Sequence, residues 1–234
     1  VTHGRDLAVV LAGAGEGTRM GGRGPKLLLP LDGKTLLERV ASVFLAHPSV
    51  GELVAVVPEA LLDRAGQVLR ALHAPPEIRL DVTSGGATRR ESVGCGLRAL
   101  TRGLPWVAVH DVARALVTGR LVTRVLETAR VEQAAIPAVP LRDTVSEVDA
   151  GRVVRTLDRT RLVAVQTPQI FADAILRRAH ASAEAAGRDA TDDASLLEAS
   201  GTRVVVVPGD PMNLKLTEPA DLAMFEFLLR HGTS

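Results

Sequence analysis

Six short apolar runs, at residues 7–11, 53–57, 78–82, 106–110, 134–139 and 203–207, are separated by longer stretches whose apolar residues recur at helical spacing. Most of the runs are apolar throughout, as strands buried on both faces must be. Such strands alternating with helices predict an α/β sandwich with a largely parallel sheet. Local punctuation supports the helices. Thr35 with Glu38 and Thr88 with Glu91 have capping-box spacing, in which a hydroxyl and a carboxylate reciprocally satisfy backbone N–H groups at a helix start. Further helical patterns cover about residues 120–130, 172–186, 193–199 and 218–230, with Gly187 and Gly201 placed to stop two of them. No internal repeat or low-complexity linker divides the 234 residues, which suit one domain, 1–234, with an ample core.

One stretch departs from the alternation. Residues 142–159 carry two alternating segments around Asp149-Ala150-Gly151, the pattern of a β-hairpin. It either lies flat on its own domain or protrudes as an arm. Because two isolated strands are marginally stable in water, a protruding hairpin needs a second surface.

Composition excludes several classes of partner. With 28 Lys+Arg against 27 Asp+Glu, a net charge of +1 and 2% aromatics, the chain lacks the basic excess and stacking platforms of nucleic-acid binders. Cys95 is the single cysteine, so no intrachain disulfide or Cys-rich zinc site forms, which suits a reducing compartment. No apolar run approaches the roughly 18 residues of a membrane span, and no cleavable signal pattern opens the sequence. The expectation is a cytoplasmic protein with no membrane association.

Residues 11–26 hold six glycines between an apolar run and Pro25-Lys26. A glycine-rich turn after a strand lets backbone N–H groups approach an anion, most often a phosphate. Dinucleotide fingerprints fail in both registers, because Thr18 and Met20 stand where a third glycine is required. Gly33-Lys34-Thr35 imitates the end of a P-loop, but Leu28 occupies the place of its first glycine. What remains is a glycine loop with two cations, Arg19 and Lys26, either gathered on an anion or simply solvated. Asp111 follows an apolar strand directly, as a ligand contact or as a turn former. Ser92 is a pocket residue or an ordinary first-turn serine. Of six histidines only His110 is assigned to the site, as an orienting group for the Asp111 loop.

The run G-x-G-x-R-M followed by Pro25-Lys26 resembles the triphosphate loop of sugar-nucleotide and cytidylyl transferases. The likeness continues, in order, through Gly85-Gly86, Arg89-Arg-Glu-Ser92, His110-Asp111, Arg114, Arg142-Asp143-Thr144, Asp158-Arg159, Thr167-Pro168-Gln169, Thr191-Asp192-Asp193-Ala194 and Asn213-Leu214-Lys215. Together these motifs resemble the 2-C-methyl-D-erythritol 4-phosphate cytidylyltransferases. The resemblance implies a Rossmann-like three-layer nucleotidyltransferase sandwich with a mostly parallel mixed sheet and a protruding hairpin arm. It implies Arg19, Lys26 and Lys215 as catalytic cations, and Ala14, Gly15, Gly17, Gly86, Ser92 and Asp111 as nucleotide contacts. It further implies Arg114, Thr144, Arg159, Thr167 and Thr191 at the acceptor, and Mg²⁺ near Asp111. CTP and methylerythritol phosphate are the implied substrates. A homodimer through the 142–159 arm is the implied assembly, with Arg159 reaching the neighbouring chain's site. Gly13, Val112 and Ala115 depart from the family's usual residues, and Ala87 stands where a polar side chain is frequent. A cytidylyltransferase for another alditol phosphate, such as ribitol 5-phosphate, and a non-catalytic nucleotide-binding module are the alternatives.

Overall fold

The computed structural model describes residues 4–15 and 25–231. The chain runs through β1 (Leu7–Ala12), the small ladder β2 (Pro30–Leu31) and β3 (Lys34–Thr35), then α1 (Leu36–Leu45), β4 (Val50–Val57) and α2 (Leu62–Ala71). It continues with β5 (Arg79–Ser84), α3 (Arg89–Ala99), β6 (Trp106–Asp111), α4 (Gly119–Glu132) and β7 (Ala134–Pro140). The hairpin β8 (Ser146–Asp149) and β9 (Arg152–Thr156) precedes β10 (Val163–Val165), β11 (Gln169–Ala172), α5 (Asp173–Ala185), α6 (Asp193–Ala199), β12 (Val205–Pro208) and α7 (Asp221–His231).

The six expected strands are β1, β4, β5, β6, β7 and β12. β1 pairs in parallel with β4 on one edge and β6 on the other, and β5 extends the sheet beyond β4. Because the chain moves outward from β1 in both directions, a crevice opens at the strands' carboxyl ends between β1 and β6, where open α/β sheets take ligands. Side chains of β1 alternate between two cores. Leu7, Val9 and Leu11 join residues of α1, α2, α4 and α7, whereas Ala8 and Val10 join α3, α5 and α6. The period of two along a strand thus gives three layers.

Besides the small β2–β3 ladder, two strands of the main sheet escape the sequence pattern. Ala135 pairs with both Ile170 and Val205, and Ala138 with both Val165 and Pro208. Each can have one partner per edge, so β10 and β11 share the edge of β7 opposite β12 and run antiparallel to it. Their registers differ by two residues, which leaves Thr167 and Pro168 outside the ladder, with Thr167 lining the crevice, while Gln166 N still donates to Pro137 O. Runs of three and four residues carry too little periodicity to be read alone, and α2 starts without a side-chain cap at Leu61. Thr35 makes the full capping box with Glu38, but the Glu91 carboxylate accepts from Ala87 N instead of completing a box with Thr88. Gly187 and Gly201 end α5 and α6 at φ of +57° and +77°, where a Cβ would be strained. Among the described residues, no helix is long and apolar enough to cross a membrane.

Gly96 lets α3 lie directly on the sheet, since a Cβ there would stand 2.5 Å from Val10 Cγ1 and 2.8 Å from Val56 Cγ2. Ala would favour the helix by about 1 kcal/mol, yet overpacking costs about 1–3 kcal/mol. Gly96→Ala is therefore expected to lower the urea midpoint, and an unchanged or higher midpoint would show that the sheet yields.

Candidate active site

The crevice is a cleft of about 760 Å³ whose walls are backbone-rich. Gly13 N donates to Val56 O at 2.8 Å and Gly85 N to Val57 O at 2.9 Å, so the loops leaving β1 and β5 are fastened to the end of β4. A Cβ on Gly85 would fall 2.3 Å from Ala14 Cβ and 2.7 Å from Ser92 Oγ. Only glycine permits that approach. Ser92 is buried, accepts from Gly86 N at 3.2 Å and donates to Thr88 O at 2.8 Å, and so holds the glycine pair in place. Two departures from the family pattern meet here: a Cβ on Gly13 would lie 3.2 Å from Val112 Cγ2. The valine fills the room the glycine vacates.

Of the residues read from sequence, Ala14, Gly15, Lys26, Gly86, Ser92, Asp111 and Lys215 line this lobe. A smaller lobe of about 210 Å³ is lined by Arg114, Thr167 and Thr191, and shares Arg89, Asp111 and Lys215 with the larger one. Gly17 and Arg19 lie outside the described residues. Thr144 and Arg159 line neither lobe; both are exposed at the foot of the hairpin, where Arg159 NH1 donates to Arg142 O.

Asp111 is the electrostatic centre. Arg89 Nε stands 3.3 Å from its Oδ1 and Lys215 Nζ 2.7 Å from its Oδ2. Burial opposes ionisation, but the charges of Arg89 and then Lys215 outweigh it and hold the carboxyl well below the usual range. Arg89 also reaches Asp193 Oδ2 at 2.8 Å, and Asp193 Oδ1 lies 2.8 Å from His180 Nε2. His180, which the sequence reading leaves outside the site, is buried against this carboxylate.

His110 is fully buried, and its bonds fix its tautomer. The Arg114 carbonyl, 3.2 Å from Nε2, can only accept, so Nε2 carries the proton. Nδ1 then accepts from the Thr167 hydroxyl at 3.0 Å, and that hydroxyl accepts from Asp111 N at 3.1 Å. Thr167 therefore positions the Asp111 backbone with both of its hydroxyl functions.

Lys215 is presented by a stapled segment. Gln166 accepts from Asp210 N at 3.1 Å and donates to Asp210 O at 2.8 Å. Asn213 Nδ2 donates to Thr167 O, Arg114 donates to the carbonyls of Asn213 and Val165, and Leu216 N donates to Ala113 O. Lys26 Nζ donates to Leu216 O, tying the loop after β1 to the same segment. Sequence reasoning assigns no role to Arg89, Gln166, Gln169 or Asp193, although all but Gln166 fall inside the quoted motifs. Their partners are too distant along the chain to leave a local spacing.

The sheet order and the place of the cleft define an α/β nucleotidyltransferase. A family model described as 2-C-methyl-D-erythritol 4-phosphate cytidylyltransferase (IspD) matches residues 7–231, and the chain belongs to that family. It is 43% identical over 223 residues to the enzyme of that name from Carboxydothermus hydrogenoformans, covering 95% of this chain and 94% of that one. A bifunctional IspD/IspF enzyme from Clavibacter michiganensis is 43% identical over 230 residues, with 97% of this chain matching 55% of the longer protein. The crystal structure of 2-C-methyl-D-erythritol 4-phosphate cytidylyltransferase from Thermus thermophilus superposes with a TM-score of 0.78 at 36% identity, covering 96% of this chain and 99% of that one.

Burial pushes His110 down to about 4. Its protonation thus favours the unfolded chain: the stability is fully present above the ordinary value near 6.5 and falls as pH drops toward 4, by about 3 kcal/mol. His47, also lowered by burial, acts with the same sign. Chemical denaturation of wild type between pH 7 and pH 4.5 should show this loss, and His110→Gln should flatten part of it.

Proposed function

We propose that the chain transfers the cytidylyl group of CTP to 2-C-methyl-D-erythritol 4-phosphate, giving 4-diphosphocytidyl-2-C-methyl-D-erythritol and pyrophosphate in isoprenoid precursor synthesis. The observation that carries this reading is the wall of Arg89, Asp111 and Lys215 common to both lobes. A nucleotide in the larger lobe and a phosphorylated polyol in the smaller one meet at that wall. The obstacle is repulsion, because an oxygen of one phosphate must attack the α-phosphorus of another anion. Charges and backbone N–H groups fixed in advance lower that barrier without a covalent nucleophile. Lys26 and Lys215, with Arg19, would receive the triphosphate, while the Gly85-Gly86 backbone and Ser92 would hold the cytosine. Arg114, Thr167 and Thr191 border the acceptor's lobe.

A divalent cation fits this site in one way. Among the described residues no three His, Cys, Asp or Glu side chains gather as a ligand set, but Asp111 is ionised and keeps lone pairs beside its two cationic partners. Mg²⁺ held mainly by phosphate oxygens, with Asp111 as its protein contact, would neutralise the triphosphate. The chain works in the cytoplasm, a compartment its single Cys95 suits.

Pyrophosphate release measured with each nucleoside triphosphate against a panel of polyol phosphates tests the reading. Activity is expected only with CTP, methylerythritol phosphate and Mg²⁺ together, and equal rates with ribitol 5-phosphate would overturn the acceptor assignment.

The hairpin supports a homodimer. Val148, Val153 and Val154 are 57%, 66% and 57% exposed on it, apolar area that a second copy would cover. Arg159 and Thr144, which line neither of this chain's own lobes, would then serve the neighbour's acceptor site. Lys26→Ala, which removes a preorganised charge, should lower kcat about a hundredfold, and Arg159→Ala should disable the other half of the site. Mixing the two variants leaves about half the dimers with one intact site of two, so exchange should restore about a quarter of wild-type activity. Verified exchange without recovery would place Arg159 outside the neighbour's site.

A further inference from the structure

Arg89 is gripped by two carboxylates through different nitrogens. NH1 goes to Asp193 and Nε to Asp111, the contact with Asp193 being the shorter at 2.8 Å against 3.3 Å. Asp193 is fully buried and lines neither lobe. It is also immobilised. Its Oδ1 meets His180, and its backbone N, with that of Ala194, donates to Gln169 Oε1 at 3.2 and 3.1 Å, while Gln169 Nε2 donates to Asp192 at 2.7 Å. The start of α6 is thereby bolted to β11, and the carboxylate is presented to Arg89 in one place.

The geometry has a consequence for Asp111. Nε and NH2 lie on one side of a guanidinium and NH1 on the other, so a fork closing on Asp111 would use Nε with NH2, as Arg130 does on Asp6. Here NH1 is fixed on Asp193 on the far side, and Asp111 meets Arg89 through Nε alone, its Oδ2 being taken by Lys215 at 2.7 Å. Arg89 NH2 is buried with no partner among the described residues, although the residue lines both lobes.

We propose that Asp193 is a positioning residue for the transfer reaction: by anchoring NH1 it fixes the orientation of the Arg89 guanidinium, which keeps Nε on Asp111 Oδ1 while Oδ2 stays with Lys215 at the wall both lobes share. The proposal rests on the nucleotidyl-transfer reading of the cleft. It differs from a purely structural role for a buried ion pair, in which loss of Asp193 would lower stability and leave each folded molecule fully active.

A double-mutant cycle separates the two. Wild type, Asp193→Asn, Arg89→Ala and the double variant are compared for kcat, measured by pyrophosphate release, and for CTP affinity in magnesium buffer by calorimetry, after thermal melts confirm folding. Asp193→Asn is expected to lower kcat about tenfold or more and to weaken CTP binding. In the Arg89→Ala background the same substitution should change either quantity by less than about twofold, because the guanidinium it restrains is gone. Equal losses in both backgrounds, or wild-type kcat in folded Asp193→Asn, would overturn the proposal. Arg89→Lys supplies a second arm that leaves the buried carboxylate paired with a cation: it should also lose about tenfold in kcat, and full activity would overturn the proposal even if Asp193→Asn failed to fold. Inactive wild type that still binds CTP would sink the catalytic reading alone, with the cycle then decided by the binding data.

Discussion

The ionised carboxylate of Asp111 at the end of β6 is the point on which the site depends. A buried charge left alone costs several kcal/mol, so its position is stable only while Arg89 and Lys215 stand beside it. Those two cations come from the start of α3 and from the segment before α7, elements with no sequence proximity to β6 or to each other. Satisfying one carboxylate therefore draws three distant stretches to the crevice. Arg89 is in turn compensated by Asp193, which extends the same requirement to α6 and, through Gln169, to β11.

Around this charged centre the fold relies on backbone groups held by side chains. Gln166, Asn213 and Arg114 fasten the Lys215 segment by its carbonyls and amides, and Thr167 with His110 fixes the turn after Asp111. Each of these polar groups would be costly if buried without a partner, so the loops have few alternative arrangements. That rigidity suits chemistry in which charges must be in place before reaction. The hairpin is the opposite case. Every residue of β9 is exposed, and among the described residues nothing covers its valines.

Much of this was legible from residues alone where the signal was local. Apolar runs marked six strands, and turn residues at Asp149-Ala150-Gly151 marked the hairpin, with Ala150 and Gly151 at the positive φ that such a turn requires. Thr35 and Glu38 marked a helix start that the structure reproduces in full. Where the signal was not local, pattern reading stopped. β10 and β11 are recognisable only from their pairing with β7, and Glu91 abandons the expected box because its carboxylate finds Ala87 N.

The sequence by itself determined the layered α/β class and the residue types at the strand ends, because alternation of periods and glycine-rich turns are properties of neighbouring residues. The motifs also named Asp111, Lys26 and Lys215. Tertiary structure decided what those residues do. Only the parallel order of β4, β1 and β6 opens the crevice, only the two-residue register change between β10 and β11 brings Thr167 under Asp111, and only packing of α6 on β11 turns Asp193 toward Arg89. The physical reason is separation: Lys215 and Asp111, like Arg89 and Asp193, lie 104 positions apart, and no local spacing encodes a contact that exists only after the sheet has assembled.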